Sequence, residues 1–204
     1  MKKYPLTSNP VFWTIQGEGH MRGRQMCFVR LAGCSVGCPG CDTDYRKQEM
    51  ATAEEIAQRA DRATPHETRD RWVWITGGEP TDHDLTALIA ALRARRFSIA
   101  LASSGHREVL AEVDWLSISP HAPAAWVQTS GSEMKIVPGL NGFGIEDFRV
   151  AHSDEATHFR HRYVQPLSLG RAEDPASLQT CLEFLREHPN WGLSRQDHHY
   201  WQVA

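Results

Sequence analysis

The apolar positions of this chain fall into short runs separated by longer amphipathic stretches, and that alternation predicts strands linked by helices. Gln25 to Leu31, Phe97 to Leu101, Trp115 to Ser119, Met134 to Val137 and Arg162 to Val164 are too short for helices and read as strands. Trp72-Val73-Trp74-Ile75 is a continuous apolar run of the kind that is buried on both faces of a sheet. Thr52 to Ala63 has helical periodicity, with Thr52 at the N-cap and Glu55 placed to complete a capping box. Further helices are predicted from about Asp82 to Arg95, briefly near Glu108, after Asn141, and from Pro175 to His188. The fold class is therefore α/β, a largely parallel sheet of about six strands with reduced helices, holding its ligands at the carboxyl ends of the strands. With so few strands a partial (β/α) barrel is more economical than a closed eight-stranded one. No repeat or long linker interrupts the 204 residues, so one domain over residues 1–204 is expected.

Composition narrows the class of partner. A formal net charge of -3 leaves no polybasic footprint for nucleic acid or an anionic membrane, which favours a small-molecule substrate. The start Met1-Lys2-Lys3-Tyr4-Pro5 has no apolar signal core, and no apolar stretch is long enough to span a bilayer. A cytoplasmic location is expected, and its reducing conditions suit unpaired thiols.

The chemistry lies in Cys34-Ser-Val-Gly-Cys38-Pro-Gly-Cys41. These three cysteines are too closely spaced for a disulfide framework and one ligand short of a closed zinc site. Three thiolates on an iron–sulfur cluster leave one iron open for an outside ligand. A Cys-x-x-Cys pair also suits a redox dithiol or half of a zinc site, and Gly77-Gly78-Glu79-Pro80 also suits an ordinary turn. Cys27 and Cys181 lie in apolar contexts and read as packing residues.

The C-x3-C-x2-C spacing, followed by Thr76-Gly77-Gly78-Glu79-Pro80, resembles radical S-adenosylmethionine (SAM) enzymes. In that superfamily the open iron chelates the methionine end of SAM, and the Gly-Gly-Glu-Pro segment holds its amino group. More narrowly, Thr14-Ile15-Gln16-Gly17-Glu18-Gly19, Phe28 to Cys34, Cys41-Asp42-Thr43-Asp44-Tyr45, Trp115 to Pro120, Glu133 to Val137, Val164-Gln165-Pro166 and Leu193 to His198 resemble the 7-carboxy-7-deazaguanine synthase family. The resemblance implies a radical SAM partial barrel and a lyase reaction. In it, 6-carboxy-5,6,7,8-tetrahydropterin contracts to 7-carboxy-7-deazaguanine with loss of ammonia, on the route to 7-deazapurines such as queuosine. It also implies a [4Fe-4S] cluster, SAM and Mg2+, a flavodoxin- or ferredoxin-type electron donor, and a homodimer.

Carried over position by position, the resemblance assigns Cys34, Cys38 and Cys41 to the cluster and Thr43 to magnesium beside the substrate carboxylate. It assigns Gly40, Cys41, Asp42, Gly78, Glu79, Ser119, Pro120, His121, Gln165, Pro166, Leu167 and Ser168 to SAM. Ile15, Gln16, Gly17, Glu18, Arg30, Thr76, His198 and the chain-terminal group of Ala204 fall to the pterin. The residue chemistry agrees. Gln16 and Glu18 match the donors and acceptors of a pyrimidine edge, and the Arg30 guanidinium is a fixed, always-charged fork for a carboxylate. Magnesium keeps waters and borrows ligands from substrate, so one threonine oxygen suffices. Adjacent His198 and His199 point in different directions and make no helical i,i+4 metal pair.

Three positions depart from the family pattern. Ala102-Ser103-Ser104-Gly105 stands where an acidic residue and Thr-Asn-Gly are usual, His121 where a lysine is common after Ser-Pro, and Gly40 where an aromatic often precedes the last cysteine. The expected loss is a carboxylate near the SAM ribose. Two other readings remain open at this stage: an activase of glycyl-radical enzymes, which shares the cysteine spacing, and a non-enzymatic redox or zinc-binding module.

Overall fold

The fold was obtained as a computed structural model. It describes residues 2–38, 41, 43–121, 126–139 and 157–203. Nine strands form a continuous sheet in the order β3-β1-β2-β4-β5-β6-β7-β8-β9. These are β1 (Lys3–Ile15), β2 (Gln25–Leu31), β3 (Glu49–Thr52), β4 (Trp72–Gly77), β5 (Ser98–Ser103), β6 (Trp115–Ile118), β7 (Ser130–Ile136), β8 (His158–Val164) and β9 (Gly192–Leu193). From β2 to β9 every pairing is parallel, whereas β1 pairs antiparallel with both β2 and β3.

The six strands read from the sequence are β2 and β4 to β8. The expectation of about six strands in the sheet is too low, because β1, β3 and β9 extend it. β1 carries Pro5 and Pro10 and is kinked at Asn9, whose φ is 45°, and its register against β2 slips between Leu6 and Val11. A bulged, proline-bearing strand beside the sheet margin hides its period-two pattern.

Among the described residues the helices are α1 (Ala53–Ala63), α2 (Thr86–Ala94), α3 (Pro175–Glu187) and α4 (Asp197–Trp201), with a 3-10 turn at Pro80–Asp82. α1 starts as the sequence predicts: Thr52 Oγ1 accepts from the Glu55 N–H, and the Glu55 carboxylate accepts from the Thr52 N–H at 2.7 Å. α2 begins later than expected because the Asp84 carboxylate takes the Thr86 N–H at 3.0 Å and its hydroxyl at 2.6 Å. The helix expected near Glu108 is absent. Its backbone is held instead by the Gln128 side chain, which accepts the Val109 N–H at 2.9 Å. The helix expected after Asn141 lies outside the described residues.

Side chains of the sheet divide by parity. Cys27, Val29 and Leu31 of β2, Val73 and Ile75 of β4, and Ile99 and Leu101 of β5 pack on Ile56, Ala57 and Ala60 of α1 and Leu88 and Leu92 of α2. Farther along, Ile118, Met134, Ile136 and Val164 pack on Cys181 and Phe184 of α3. Each large aliphatic side chain so buried stabilises the fold by about 1.5–3 kcal/mol. The opposite parity faces inward. Met26, Trp74, Ala100 and Trp115 fill the lower part of that face with Met21, and above them the polar inward positions line a cavity. Among the described residues no helix is long and apolar enough to cross a membrane.

Candidate active site

Alternation alone places the cavity walls. Phe28 and Arg30 on β2, Trp74 and Thr76 on β4, Ala102 on β5, Ser117 on β6 and Lys135 on β7 all face one cavity of about 560 Å³ at the carboxyl ends of the parallel strands. That is the volume and position of a site for a small ligand in an α/β sheet. Arg30 and Thr76 are register partners, so the two sit side by side, and the Arg30 guanidinium lies over the Phe12 ring, 4.7 Å from its centre. Phe28 and Trp74 form an aromatic wall, with ring centres 6.3 Å apart.

The cysteine loop leaves β2 directly. Gly33 (φ 88°) and Gly37 (φ 63°) supply the left-handed backbone its turns need, and the Gly33 N–H is tied to the Tyr45 carbonyl at 2.9 Å. Cys34, Cys38 and Cys41 all line the cavity, and no described cysteine is in a disulfide. Cys27 and Cys181 are buried elsewhere, and burial pushes each thiol up to about 12. Their reading as packing residues therefore agrees with their surroundings. Among the described residues no three His, Cys, Asp or Glu side chains gather closely enough to hold a single metal ion. A polynuclear cluster is compatible with that spread, since each thiolate then binds a different iron.

The Gly77-Gly78-Glu79-Pro80 segment is fastened to the start of the same loop. The Gly78 N–H donates to the Leu31 carbonyl and the Glu79 N–H to the Gly33 carbonyl, each at 2.9 Å. The approach is so close that a Cβ on Gly78 would stand 1.8 Å from the Gly33 oxygen and 3.2 Å from the Cys34 Cβ. Glu79 is 2% exposed. Its carboxylate accepts from the Thr81 N–H and hydroxyl at 3.0 and 2.7 Å, the Ser103 hydroxyl at 2.8 Å, and the Ser104 N–H and hydroxyl at 2.8 and 2.7 Å. These donors saturate the carboxylate, which braces the segment against β5. Ser103 and Ser104, which the sequence presented only as a departure, are thus two of the residues that hold Glu79. On its other side Asp82 takes the Ser35 N–H and hydroxyl, both at 2.7 Å, and binds the loop residue next to Cys34.

The loop between β1 and β2 forms the facing wall. Gln16 closes it through its N–H to the Arg24 carbonyl and its carbonyl to the Gly23 N–H, at 2.9 and 2.7 Å. Its side-chain oxygen accepts the Glu18 N–H at 3.1 Å. The C-terminal segment packs on this loop. Ser194 Oγ accepts the Gly19 N–H at 2.9 Å, the Asp197 N–H donates to the Gly17 carbonyl at 3.1 Å, and Gln196 Nε2 donates to Glu18 Oε1 at 2.9 Å. Gly17 has to be glycine, because a Cβ there would meet His198 Nδ1 at 2.5 Å. The structure therefore joins Ile15, Gln16, Gly17 and Glu18 to His198 around one cavity, although these segments are far apart in sequence.

Of the remaining candidates, Thr43, Ser119, His121, Gln165, Leu167 and Ser168 line the cavity. Gln165 Oε1 accepts from the Ser194 hydroxyl at 2.7 Å, which ties β8 to the C-terminal segment. Pro120 and Pro166 were also assigned to SAM, and neither lines the cavity; both are buried. Each stands between two residues that do face the cavity. Gly40, Asp42 and Ala204 lie outside the described residues. Asp44 lines the cavity too, and Arg46 holds its carboxyl at about 2 through hydrogen bonds at 2.8 and 2.6 Å. The sequence reading missed Phe28, Trp74, Ser117, Lys135 and Gln196. Counting by twos from Arg30, Thr76 and Ser119 would have found the first three.

Comparison with known proteins bears on this arrangement. The radical SAM superfamily model matches residues 29–125, from the end of β2 past β6. The 7-carboxy-7-deazaguanine synthase of Caulobacter vibrioides is 36% identical over 207 residues, an alignment covering 93% of this chain and 95% of that protein. The chain belongs to the 7-carboxy-7-deazaguanine synthase family. The Burkholderia multivorans member is 31% identical and aligns over 95% of this chain and 96% of its own. The crystal structure of QueE from Escherichia coli superposes with a TM-score of 0.71 at 27% identity, covering 95% of this chain and 94% of that one. Near-complete coverage in both directions means that this family member has the cysteine loop, the β1–β2 loop and the C-terminal segment within one alignment.

Proposed function

We propose that the chain is a radical SAM lyase that converts 6-carboxy-5,6,7,8-tetrahydropterin to 7-carboxy-7-deazaguanine with release of ammonia. The observation that carries the proposal is the convergence of three thiols, the Gly77-Gly78-Glu79-Pro80 segment and the Gln16-Gly17-Glu18 loop on a single cavity. The donor set suits a [4Fe-4S] cluster, with three thiols on one loop, all lining the cavity, and no fourth cysteine beside them. When bound, cluster and SAM would supply the radical chemistry needed to remove a hydrogen from substrate C6.

The chain's own residues hold and orient. Cys34, Cys38 and Cys41 hold the cluster. Gly78 and the main chain of Glu79 receive the methionine amine, while Ser119, His121, Gln165, Leu167 and Ser168 take the rest of SAM. Ile15, Gln16, Gly17, Glu18, Thr76 and His198 surround the pterin, with Phe28 and Trp74 giving its ring an apolar wall. Arg30 takes the substrate carboxylate in a charge-assisted pair, and Thr43 brings magnesium to the same group. Such fixed groups shorten the search for a reactive geometry, worth up to about 7–11 kcal/mol in well-oriented cases. The whole chain acts as one unit in the cytoplasm, as a homodimer reduced by a flavodoxin- or ferredoxin-type donor.

The test is anaerobic reconstitution of wild type and the Cys34→Ala, Cys38→Ala and Cys41→Ala variants. Wild type should bind iron and sulfide, cleave SAM on reduction and convert the pterin, while each variant should lose SAM cleavage. Stoichiometric zinc in wild type, or SAM cleavage retained by the variants, contradicts the assignment.

A further inference from the structure

Lys135 is a lysine on the inward face of β7, 9% exposed, with its ammonium in contact with Glu18 Oε2. Nothing in the fold requires a cation there, and burying one is costly unless a partner compensates it. Burial pulls the ammonium down to about 8, and the adjacent Glu18 carboxylate opposes that by favouring the charged form. The two oxygens of Glu18 are treated alike. Oε2 has the Lys135 ammonium and Oε1 the Gln196 amide, at 2.9 Å for the latter. A carboxylate offers roughly four acceptor directions, so each oxygen retains one for a ligand. The backbone beneath is fixed as well. The Glu133 carboxylate, 1% exposed and on the same face of β7, takes the His20 N–H at 2.8 Å and the Ser117 hydroxyl at 2.7 Å. A Cβ on Gly19 would meet that carboxylate at 2.6 Å, so loop and strand are in direct contact.

We propose that Lys135 is a positioning residue that holds the Glu18 carboxylate aimed into the cavity, so that its two oxygens accept the paired N–H donors of the 2-amino-pyrimidinone edge of the substrate. The inference rests on the pterin reading of the cavity. It makes Lys135, acting through Glu18, the source of selectivity for ligands that carry both donors. A site built around buried acceptors rejects an analogue lacking the matching donor more strongly than an apolar pocket rejects one lacking a methylene.

The experiment compares wild type with Lys135→Met, Glu18→Gln and the double variant, each reconstituted with cluster. Binding of the pterin and of its 2-desamino analogue is followed by fluorescence quenching, together with SAM affinity and iron content. Wild type should prefer the pterin. Lys135→Met should weaken pterin binding by about 30-fold or more, as when one partner of a buried charge pair is removed. It should also bind the two pteridines nearly alike, with SAM affinity and iron content unchanged. In the Glu18→Gln background the same change should add little, because the carboxylate it serves is gone. Lys135→Gln, which keeps a donor and loses the charge, should be intermediate and serves if the methionine variant does not fold. Unchanged pterin preference in either Lys135 variant, or losses that multiply in the double variant, overturns the proposal. Failure of wild type to bind the pterin overturns the pterin reading itself, and this is seen before any variant is compared.

Discussion

Replacing Gly78 with alanine probes the joint between the Gly-Gly-Glu-Pro segment and the cysteine loop. The added Cβ would lie 1.8 Å from the Gly33 carbonyl oxygen. Ordinary non-bonded contact begins near ~3.5 Å, so the two backbones must separate by roughly 1.5 Å. Two hydrogen bonds cross this joint, from Gly78 to Leu31 and from Glu79 to Gly33, each 2.9 Å long, and such a separation breaks both. Overpacking costs about 1–3 kcal/mol and each of the two lost bonds about 1 kcal/mol, which gives roughly 3–5 kcal/mol in all. At about 2–4 °C per kcal/mol for a chain of this length, Tm should fall by roughly 5–20 °C. The displaced group includes Cys34, whose Cβ is 3.2 Å from the added atom. Misplacement on the order of 1 Å at a reacting site costs about 10²-fold in rate. Thermal melts, iron content and SAM affinity of reconstituted protein measure the three consequences. Gly131→Ala is the milder comparison, since its Cβ would meet the Phe159 ring edge at 3.0 Å and the Leu116 carbonyl oxygen at 3.2 Å, far looser than the 1.8 Å at Gly78. A Gly78→Ala protein with wild-type Tm, iron content and SAM affinity would refute the reasoning.

Four further outcomes follow from the same structure. Arg30→Ala should raise the KM for the pterin and lower turnover at unchanged iron content, by about 2–5 kcal/mol in kcat/KM if its partner is the desolvated substrate carboxylate; wild-type kinetics would remove Arg30 from the site. In metal-free protein at pH 8, iodoacetamide should modify Cys34, Cys38 and Cys41 and spare Cys27 and Cys181, whose thiols burial pushes up to about 12; peptide mass spectrometry reads the result. Burial raises the Glu133 carboxyl above the usual carboxylate range, so its contribution to stability is full at acid pH and is lost as pH rises through the folded value. Relative to wild type, Glu133→Gln should therefore gain in urea-unfolding stability from about pH 4 to pH 7, and parallel profiles would contradict this. Thr52→Ala removes the capping box of α1 and should cost about 1 kcal/mol in the same measurement.

The parallel strands were legible because each is a short β-branched or aromatic run bounded by turn residues, and the cysteine and Gly-Gly-Glu-Pro motifs marked two walls of the cavity without any structure. What escaped was non-local or too short to show a period. β1 is interrupted by Pro5, Asn9 and Pro10, β9 has only Gly192–Leu193, and α4 is a single turn of Asp197–Trp201. The packing of Ser194, Gln196 and Asp197 on Gln16 to Gly19 joins residues about 175 apart, and no local pattern announces it. The serines after β5 illustrate the same limit. As a string, Ala102-Ser103-Ser104-Gly105 reads as a lost carboxylate, whereas in the fold two of its hydroxyls hold Glu79. Lys135 falls within the Glu133 to Val137 motif, but only its inward parity and its contact with Glu18 give it a role.

The most direct measurement of the central claim follows the substrate hydrogen. Reconstituted protein is incubated with SAM, magnesium, reductant and 6-carboxytetrahydropterin deuterated at C6, and SAM, product and ammonia are analysed together. Deuterium should enter SAM at its 5′ carbon while 7-carboxy-7-deazaguanine and ammonia form in equal amounts, with many turnovers for each SAM consumed. Reductive cleavage of SAM with no deuterium in it and no deazaguanine formed would contradict the account.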